Sequence, residues 1–191
     1  TCALPISITR DAMGGAVEFH DALIKRVQLL RGMPIGAVMD AVNSMEATAG
    51  AAELSSALKD FKFHVVVVSG GFTLATDLFR DRIGYGVAFA NELRVIDGRL
   101  TGTVGGPAMF SHSKGLLVQT MQALTGIGRD RTLVCGDGAN DLSMFPHADL
   151  RVAFGKKGVL DKHANVVIQE HDLKRLIPFA EKFASGRGTA V

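Results

Sequence analysis

The sequence predicts an α/β protein with a parallel sheet, helices on both faces of that sheet, and a small helical cap at the amino end. The β-branched run at 63–68 and the apolar run at 132–135 are short and nearly continuous, which is typical of strands buried on both faces. Helical patterns alternate with these runs, and this alternation favours a parallel sheet. The residues before about 45 are helical in pattern throughout, so we expect them to form the cap.

The predicted cap contains two helices within residues 8–45. Gly32 and Pro34 break the helical pattern, and Pro34 suits the first turn of a second helix. The apolar positions of the first helix are spaced for a single buried face: Phe19, Leu23, Val27 and Leu30.

After the cap, helices and strands alternate in the predicted core. A helix at 50–59 leads into the strand at 63–68, and a helix follows at 73–83. The Asp97-Gly98 pair is a strong turn signal and predicts a hairpin of 89–96 with 99–104. The remaining predicted elements are a helix at 113–125, a strand at Leu133, a short helix from Asp141, a strand at 150–154, a helix at 156–163, a strand at 165–168 and a helix at 172–183.

The turn after the second buried strand is the most informative stretch of the chain. It has the sequence Gly-Asp-Gly-Ala-Asn-Asp at 136–141. In an open parallel sheet, ligands bind at the carboxyl ends of the strands, so Asp137 is placed to offer oxygen to a hard cation such as Mg²⁺. The alternative is a plain turn, because Gly, Asn and Asp fill turns in any case.

Two further segments are suited to binding an anion. The sequence Ser-Gly-Gly at 69–71 lies between a strand and a helix, where a hydroxyl and backbone N–H groups can hold a phosphoryl oxygen. Lys114 begins the amphipathic helix at 113–125 and would add a positive charge. Taken alone, Lys114 could equally be a solvated surface lysine. Together with Asp137, these residues predict a phosphoryl-binding site.

These three motifs resemble motifs two, three and four of the haloacid dehalogenase superfamily, which has a Rossmann-like core. Within that superfamily, the cap pattern resembles the phosphoserine phosphatase family. The segments that carry this second likeness are 8–15, Phe19, 25–30, 89–91 and 97–102. The likeness extends from about Ile8 to about Ile177.

The resemblance implies a role for each core motif residue. Ser69 and Gly70 would donate hydrogen bonds to the phosphoryl oxygens, and Lys114 would pair with the phosphate and with the attacking carboxylate. Asp137 would bind Mg²⁺. Asp141 would orient Lys114 or a metal-bound water, and Asn140 would help to fix the same network.

The resemblance also implies substrate contacts in the cap. Arg26 matches the family position that grips the substrate carboxylate, while Met13 and Phe19 match apolar contacts that exclude water. Helix packing is the alternative for Met13 and Phe19, and an exposed arginine is the alternative for Arg26.

The chain departs from the superfamily in one respect. The family nucleophile is the first Asp of an Asp-x-Asp motif at the end of the first core strand, and no Asp-x-Asp occurs in this sequence. We therefore expect the first central strand, which lies in this family between the strands ending at Ser69 and Asp137, to be missing. The fragment would then be inactive, with open strand edges that make it unstable or able to pair with another chain.

The amino terminus accounts for this departure in one of two ways. Residues 1–7 resemble a non-native leader, because residues 1–6 back-translate to the end of a common sequencing adapter. A natural pseudo-enzyme is the alternative. The predicted organisation is a leader at 1–7, a partial helical cap at 8–48, a Rossmann-like phosphatase core at 49–184 and a loose tail at 185–191.

Composition limits the function classes. The net charge of +2 is too small to indicate nucleic-acid binding, and the longest apolar run is too short to span a bilayer. Two cysteines give no disulfide framework, so we predict a cytoplasmic protein, with Cys135 as a small buried hydrophobe. The six histidines have no metal-ligand spacing, and His112 is interpreted as a surface residue. The oligomeric state stays open.

Three functions remain compatible with the sequence. The first is a phosphatase that releases serine and phosphate from O-phospho-L-serine through an aspartyl-phosphate, the final step of serine biosynthesis. The second is a related phosphatase or phosphotransferase that acts on another small phosphorylated metabolite. The third is a non-catalytic protein that binds phosphate, because the nucleophile motif is absent.

Overall fold

A computed structural model describes residues 19–156 and 158–186 of the chain. The predicted leader, Met13 and the last residues of the predicted tail lie outside the described residues.

The described part of the predicted cap consists of α1 (Phe19–Gln28) and α2 (Ile35–Asn43). α1 buries Ala22, Leu23 and Val27 and packs against the hairpin strand β3 (Arg99–Gly105), so the predicted apolar face is confirmed. The predicted break is also confirmed, since Gly32 has a left-handed φ of 82° and Pro34 caps α2 with extended backbone.

The strands of the described residues form two three-stranded sheets. In the first, β1 (Val66–Phe72) pairs in parallel with β2 (Val87–Ile96), and β2 pairs with β3 across the predicted Asp97-Gly98 turn. In the second sheet, β4 (Leu133–Gly136), β5 (Leu150–Phe154) and β6 (Val166–Ile168) are all parallel. The parallel α/β class is therefore confirmed.

Helices cover both faces of the second sheet. One apolar cluster joins this sheet to α3 (Ala51–Asp60) and α6 (Ile177–Ser185), with Val152 and Ala180 fully buried. A second cluster lies on the opposite face, around Phe145 and Leu160. The other α-helices are α4 (Thr73–Ile83) and α5 (Ser113–Thr125).

Several predicted boundaries were wrong. The strand predicted at 63–68 begins at Val66 and continues to Phe72, so the Ser-Gly-Gly segment lies within β1 as an irregularity of the ladder. The helix predicted from Asp141 is a 3₁₀-helix at Ala139–His147, which contains Pro146, and the helix predicted at 156–163 is a single 3₁₀ turn at Val159–Lys162. The last predicted helix begins as a 3₁₀ turn at Leu173–Leu176 before α6, and a further 3₁₀ turn lies at Arg129–Arg131.

Within the described residues, no ladder joins β1 to β4. A cavity of about 510 Å³ lies between the two strands, and its walls include Val66, Val68, Leu133 and Val134. The sequence analysis predicts a missing central strand between these two strands, and this stays a prediction.

Candidate active site

A buried ion pair lies at the carboxyl end of β4. The Nζ of Lys114 donates to Oδ1 of Asp141 at 2.5 Å, and the two side chains are only 10% and 4% exposed. The other carboxylate oxygen of Asp141 accepts from the backbone N–H groups of Asp137 and Gly138, at 2.9 and 3.1 Å. Asp141 thus joins the lysine to the turn after β4 through three charge-assisted hydrogen bonds.

Two glycines permit the close packing around this pair. A Cβ added at Gly136 would lie 2.4 Å from Cβ of Asp141, so the turn admits no side chain there. A Cβ at Gly115 would lie 2.3 Å from the carbonyl oxygen of Ser143, and the Gly115 N–H donates to Oγ of Ser143 at 3.1 Å. The first turn of α5, which carries Lys114, is therefore fixed against the 3₁₀-helix that carries Asp141.

The electrostatics of this turn favour a cation at Asp137. Burial raises the pKa of the Asp137 carboxyl, the negative charge of Asp141 raises it further, and the Lys114 charge opposes both effects. A cation would relieve the unfavourable negative charge, and a carboxylate oxygen is a ligand that hard divalent ions prefer. Among the described residues, no group of three or more His, Cys, Asp or Glu side chains is placed to hold a metal ion. At this turn both oxygens of Asp141 accept hydrogen bonds, which leaves the Asp137 carboxylate as the candidate ligand.

Cys135 precedes this turn and plays no nucleophilic part in it. Burial, together with the charges of Asp141 and Asp137, raises the pKa of its thiol to about 12. The thiol is therefore protonated at neutral pH and packs against the core, in agreement with the sequence interpretation.

The Ser-Gly-Gly segment approaches the same turn from β1. A Cβ added at Gly70 would lie 2.7 Å from Cζ of Phe19 and 3.5 Å from Nδ2 of Asn140. Gly70 therefore lies between the first cap helix and the residue next to Asp141. The Oγ of Ser69 accepts from the Gly71 N–H at 3.0 Å, which holds the segment in a tight turn.

The predicted core residues come together, with one qualification of position. Lys114, Asp137 and Asp141 line the 510 Å³ cavity beside β1. Ser69 lies on the wall of the adjoining cavity of about 540 Å³, which shares Val66 and Cys135 with the first. The structure thus brings Lys114, Asp137 and Asp141 together and places Ser69 in a neighbouring cavity.

Phe19 and Arg26, two predicted substrate-contacting residues of the cap, lie in different surroundings. Phe19 contacts Gly70, as described above. Arg26 lies in the last turn of α1, seven residues after Phe19 and so on the same side of the helix, and its side chain is exposed. No described residue forms an ion pair with its guanidinium group.

The structure adds contacts that the sequence analysis did not predict. His20, Phe110 and His112 form a stack in which the ring centroids lie 4.4 and 5.6 Å apart, joining α1 to the loop before α5. His112 is exposed, as predicted, but the stacking was missed because it joins distant segments. Asn91 was also missed, although a polar residue inside an apolar strand is a recognisable signal.

The sequence and the fold are similar to those of known proteins. The model of the haloacid dehalogenase-like hydrolase family matches residues 3–146. The phosphoserine phosphatase of Wolinella succinogenes is 45% identical over 170 residues, which are 89% of this chain and 82% of the relative. That of Methanocaldococcus jannaschii is 40% identical over 172 residues, with coverages of 90% and 82%. The chain therefore belongs to the haloacid dehalogenase-like hydrolases, and within them to the phosphoserine phosphatase family of enzymes.

Solved structures extend this likeness. A phospho-aspartyl intermediate analogue of phosphoserine phosphatase superposes with a TM-score of 0.87 at 39% identity and covers 92% of this chain and 84% of its own. A substrate-bound phosphoserine phosphatase complex gives 0.88 at 38% identity, with coverages of 93% and 84%. Family members act on a small-molecule substrate, and phosphatases of this superfamily generally use a divalent metal ion. None of the helices among the described residues is long and apolar enough to cross a membrane.

The Lys114–Asp141 pair should show strong energetic coupling. Lys114→Met or Asp141→Asn alone leaves a buried group without its partner, and each should lower the free energy of unfolding by about 3–5 kcal/mol. The double variant should lose less than the sum, because it leaves neither charge unpaired. Urea unfolding of the four proteins measures this coupling.

The exposed Arg129–Asp149 pair is the matched control. Its atoms lie 2.7 Å apart, but its side chains are 57% and 45% exposed, so its coupling should stay below about 1 kcal/mol. A Lys114–Asp141 coupling no larger than that of this control would contradict the structural role assigned to the buried pair.

The raised pKa of Asp137 predicts a pH-dependent stability in metal-free buffer. The folded state binds a proton at Asp137 more tightly than the unfolded state does, so the ionised carboxylate destabilises the fold. Asp137→Asn should therefore be more stable than wild type at neutral pH. The difference should shrink as the pH falls through the folded pKa and vanish below about pH 4, where both states of the wild type are protonated.

Thermal unfolding with a chelator present, from pH 3 to pH 8, measures this difference. Asp40→Asn, on the exposed side of α2, is the control and should show no such divergence. If Asp137→Asn were less stable than wild type at neutral pH, the proposed electrostatics of the turn would be wrong.

Proposed function

We propose that this protein is a phosphoserine phosphatase, which hydrolyses O-phospho-L-serine to L-serine and phosphate in the biosynthesis of serine. The observation that carries the proposal is the Asp141 carboxylate, which holds the Lys114 ammonium beside the strand-end turn of Asp137. The names of the relatives support the same substrate.

Lys114 and Gly70 bind the phosphoryl group. The Lys114 ammonium is a compact positive charge on the cavity wall, where low solvent access strengthens its attraction for phosphoryl oxygens. The N–H of Gly70 and the hydroxyl of Ser69 donate to the same group. Asn140 and Asp141 keep these donors in place, because Asn140 lies against Gly70 and Asp141 holds the lysine.

Asp137 is the described residue that would hold a divalent ion, and we assign that ion as Mg²⁺. When bound, Mg²⁺ supplies positive charge that offsets the charge of the phosphoryl group. Asp141 does not compete for this ion, since both of its carboxylate oxygens already accept hydrogen bonds from Lys114 and the turn.

The cap supplies selectivity in this proposal. The guanidinium of Arg26 pairs with the carboxylate of the serine moiety, for which a planar fork of donors is well suited. Phe19 covers Gly70 and excludes water from the phosphoryl group. The family resemblance assigns a similar apolar role to Met13, which lies outside the described residues. The cap at 8–48, the core at 49–184 and a cytoplasmic location remain proposals of the same kind.

In this family the hydrolysis proceeds through an aspartyl-phosphate, of which one relative's structure holds an analogue. A carboxylate oxygen forms a bond to phosphorus as the bond from phosphorus to the serine oxygen breaks, and the released serine oxygen takes up a proton. Water then hydrolyses the acyl phosphate, which releases phosphate and restores the carboxylate. The sequence contains no Asp-x-Asp to provide this carboxylate. We therefore predict that the chain of this sequence binds phosphate but does not turn over substrate. That same feature favours a second candidate function, a non-catalytic phosphate-binding protein.

Binding measurements test the proposed substrate. Calorimetric titration in the presence of Mg²⁺ should detect both inorganic phosphate and O-phospho-L-serine. Arg26→Ala should weaken the binding of O-phospho-L-serine by roughly ten- to a hundredfold, because the ligand loses a charged hydrogen-bonding partner. The affinity for inorganic phosphate should stay unchanged. The neighbouring Lys25→Ala, which removes an exposed charge of the same sign, is the control.

The outcomes separate the alternatives. Equal weakening by Lys25→Ala and Arg26→Ala would mean a general charge effect and no carboxylate site at Arg26. Binding of phosphate with no preference for phosphoserine would favour a different small phosphorylated substrate. Release of phosphate from O-phospho-L-serine by the chain as given would contradict the predicted inactivity.

A further inference from the structure

Asn91 is a buried polar residue whose role is not explained by the sheet alone. It lies in the interior of β2 within the run Ala88–Leu93, and its side chain is fully buried. A buried amide that lacks hydrogen-bonding partners destabilises a fold, so its contacts indicate why the strand carries Asn at this place.

One contact of Asn91 reaches the phosphoryl-binding segment of β1. The β1–β2 ladder is regular from Val66 to Val68 and resumes only where Phe72 pairs with Asn91. Four residue steps on β1 therefore face two on β2, so the Ser-Gly-Gly segment leaves the ladder as a bulge. The Nδ2 of Asn91 donates to the carbonyl oxygen of Gly70 at 3.2 Å and so restores a hydrogen bond that the bulge removes.

The other contacts of Asn91 reach the loop that leads to Lys114. Its Oδ1 accepts from the Ala108 N–H at 3.0 Å, and its Nδ2 also donates to the Ala108 carbonyl at 3.2 Å. Gly106, with a φ of +134°, lets this loop pass close by, since a Cβ there would lie 2.6 Å from Cα of Asn91. These partners also fix the orientation of the amide, because only Nδ2 can donate to two carbonyls.

From Ala108 the chain continues directly into the helix of the catalytic lysine. The N–H of Phe110 donates to Oγ of Ser113 at 3.1 Å, and Lys114 follows as the second residue of α5. Asn91 is thus one side chain between the two segments that would grip a phosphoryl group, one through Gly70 and one through Lys114.

We propose that Asn91 is a positioning residue that fixes the Gly70 bulge relative to the segment carrying Lys114. It touches neither substrate nor metal and acts through backbone groups at both ends. The consequence for phosphate binding rests on the proposed function, whereas the mechanical coupling of the two segments does not.

Two substitutions separate the hydrogen bonds from the volume of the side chain. Asn91→Leu keeps the approximate size and removes all three hydrogen bonds. Asn91→Asp keeps the shape but turns a carboxylate oxygen toward the carbonyls of Gly70 and Ala108. Leu176→Ala is the matched control, because Leu176 is equally buried but lies in the core cluster of the other sheet.

Amide hydrogen exchange tests the coupling directly. In Asn91→Leu and Asn91→Asp, we expect exchange to accelerate by about tenfold or more in both 66–72 and 105–113, since each segment loses a buried hydrogen bond. Leu176→Ala should change neither segment beyond its effect on global stability. Acceleration in one segment only, or an equal rise throughout the protein, would overturn the proposal. Should the Asn91 variants not fold, Gly106→Ala displaces the same loop and must give the same two-segment signature.

Phosphate titration of the same proteins tests the consequence for the site. The dissociation constant for inorganic phosphate should rise about tenfold in the Asn91 variants and stay unchanged in Leu176→Ala. If exchange accelerates in both segments but the Asn91 variants bind phosphate as tightly as the wild type, the positioning role is overturned. If exchange accelerates in both segments of the Asn91 variants but the wild type binds no phosphate, the coupling is supported and the proposed function is contradicted.

Discussion

Lys114 and Asp141 carry opposite charges into an interior where neither charge would be stable alone. Their 2.5 Å contact fastens the start of α5 to the turn after β4, and the second oxygen of Asp141 shapes that turn through two backbone N–H groups. This turn then sets the positions of Asp137 and Asn140. Asn140 lies against Gly70. One carboxylate thus connects the side proposed to bind a cation with the side proposed to bind an anion.

A positive ammonium beside a carboxylate with a raised pKa suits a ligand that brings both a cation and an anion, as a metal-bound phosphate ester does. The lysine is neutralised by Asp141 and still lines the cavity, so it can attract a phosphoryl group without being an isolated buried charge. On the opposite side, the bulge in β1 frees the backbone of Gly70 from the ladder. These features support the proposed phosphoryl-binding site at this edge of the sheet.

Much of this could be predicted from the sequence because it depends on local pattern. The strand-end turns, the hairpin at Asp97-Gly98 and the apolar face of α1 follow from glycine placement and residue spacing. Other features of the fold and the site could not be predicted from the sequence, for physical reasons. The Ser-Gly-Gly segment stays in β1 because pairing resumes at Phe72. The helix after Asp137 is a 3₁₀-helix and contains Pro146, which has no backbone N–H to donate. The burial of Asn91 has a local signal, but its hydrogen-bond partners and the His20–Phe110 stack lie far apart in the sequence, and no local pattern identifies them.

The most direct test of this account is a phosphate titration, with Mg²⁺ present, followed by the backbone amide resonances of the two loops. We predict that the signals of Gly70 and Gly71 and those of Asp137 and Gly138 shift together and saturate at one dissociation constant, because both loops contact one ligand. Shifts confined to one loop, or two loops that saturate independently, would contradict the single site organised by Lys114 and Asp141.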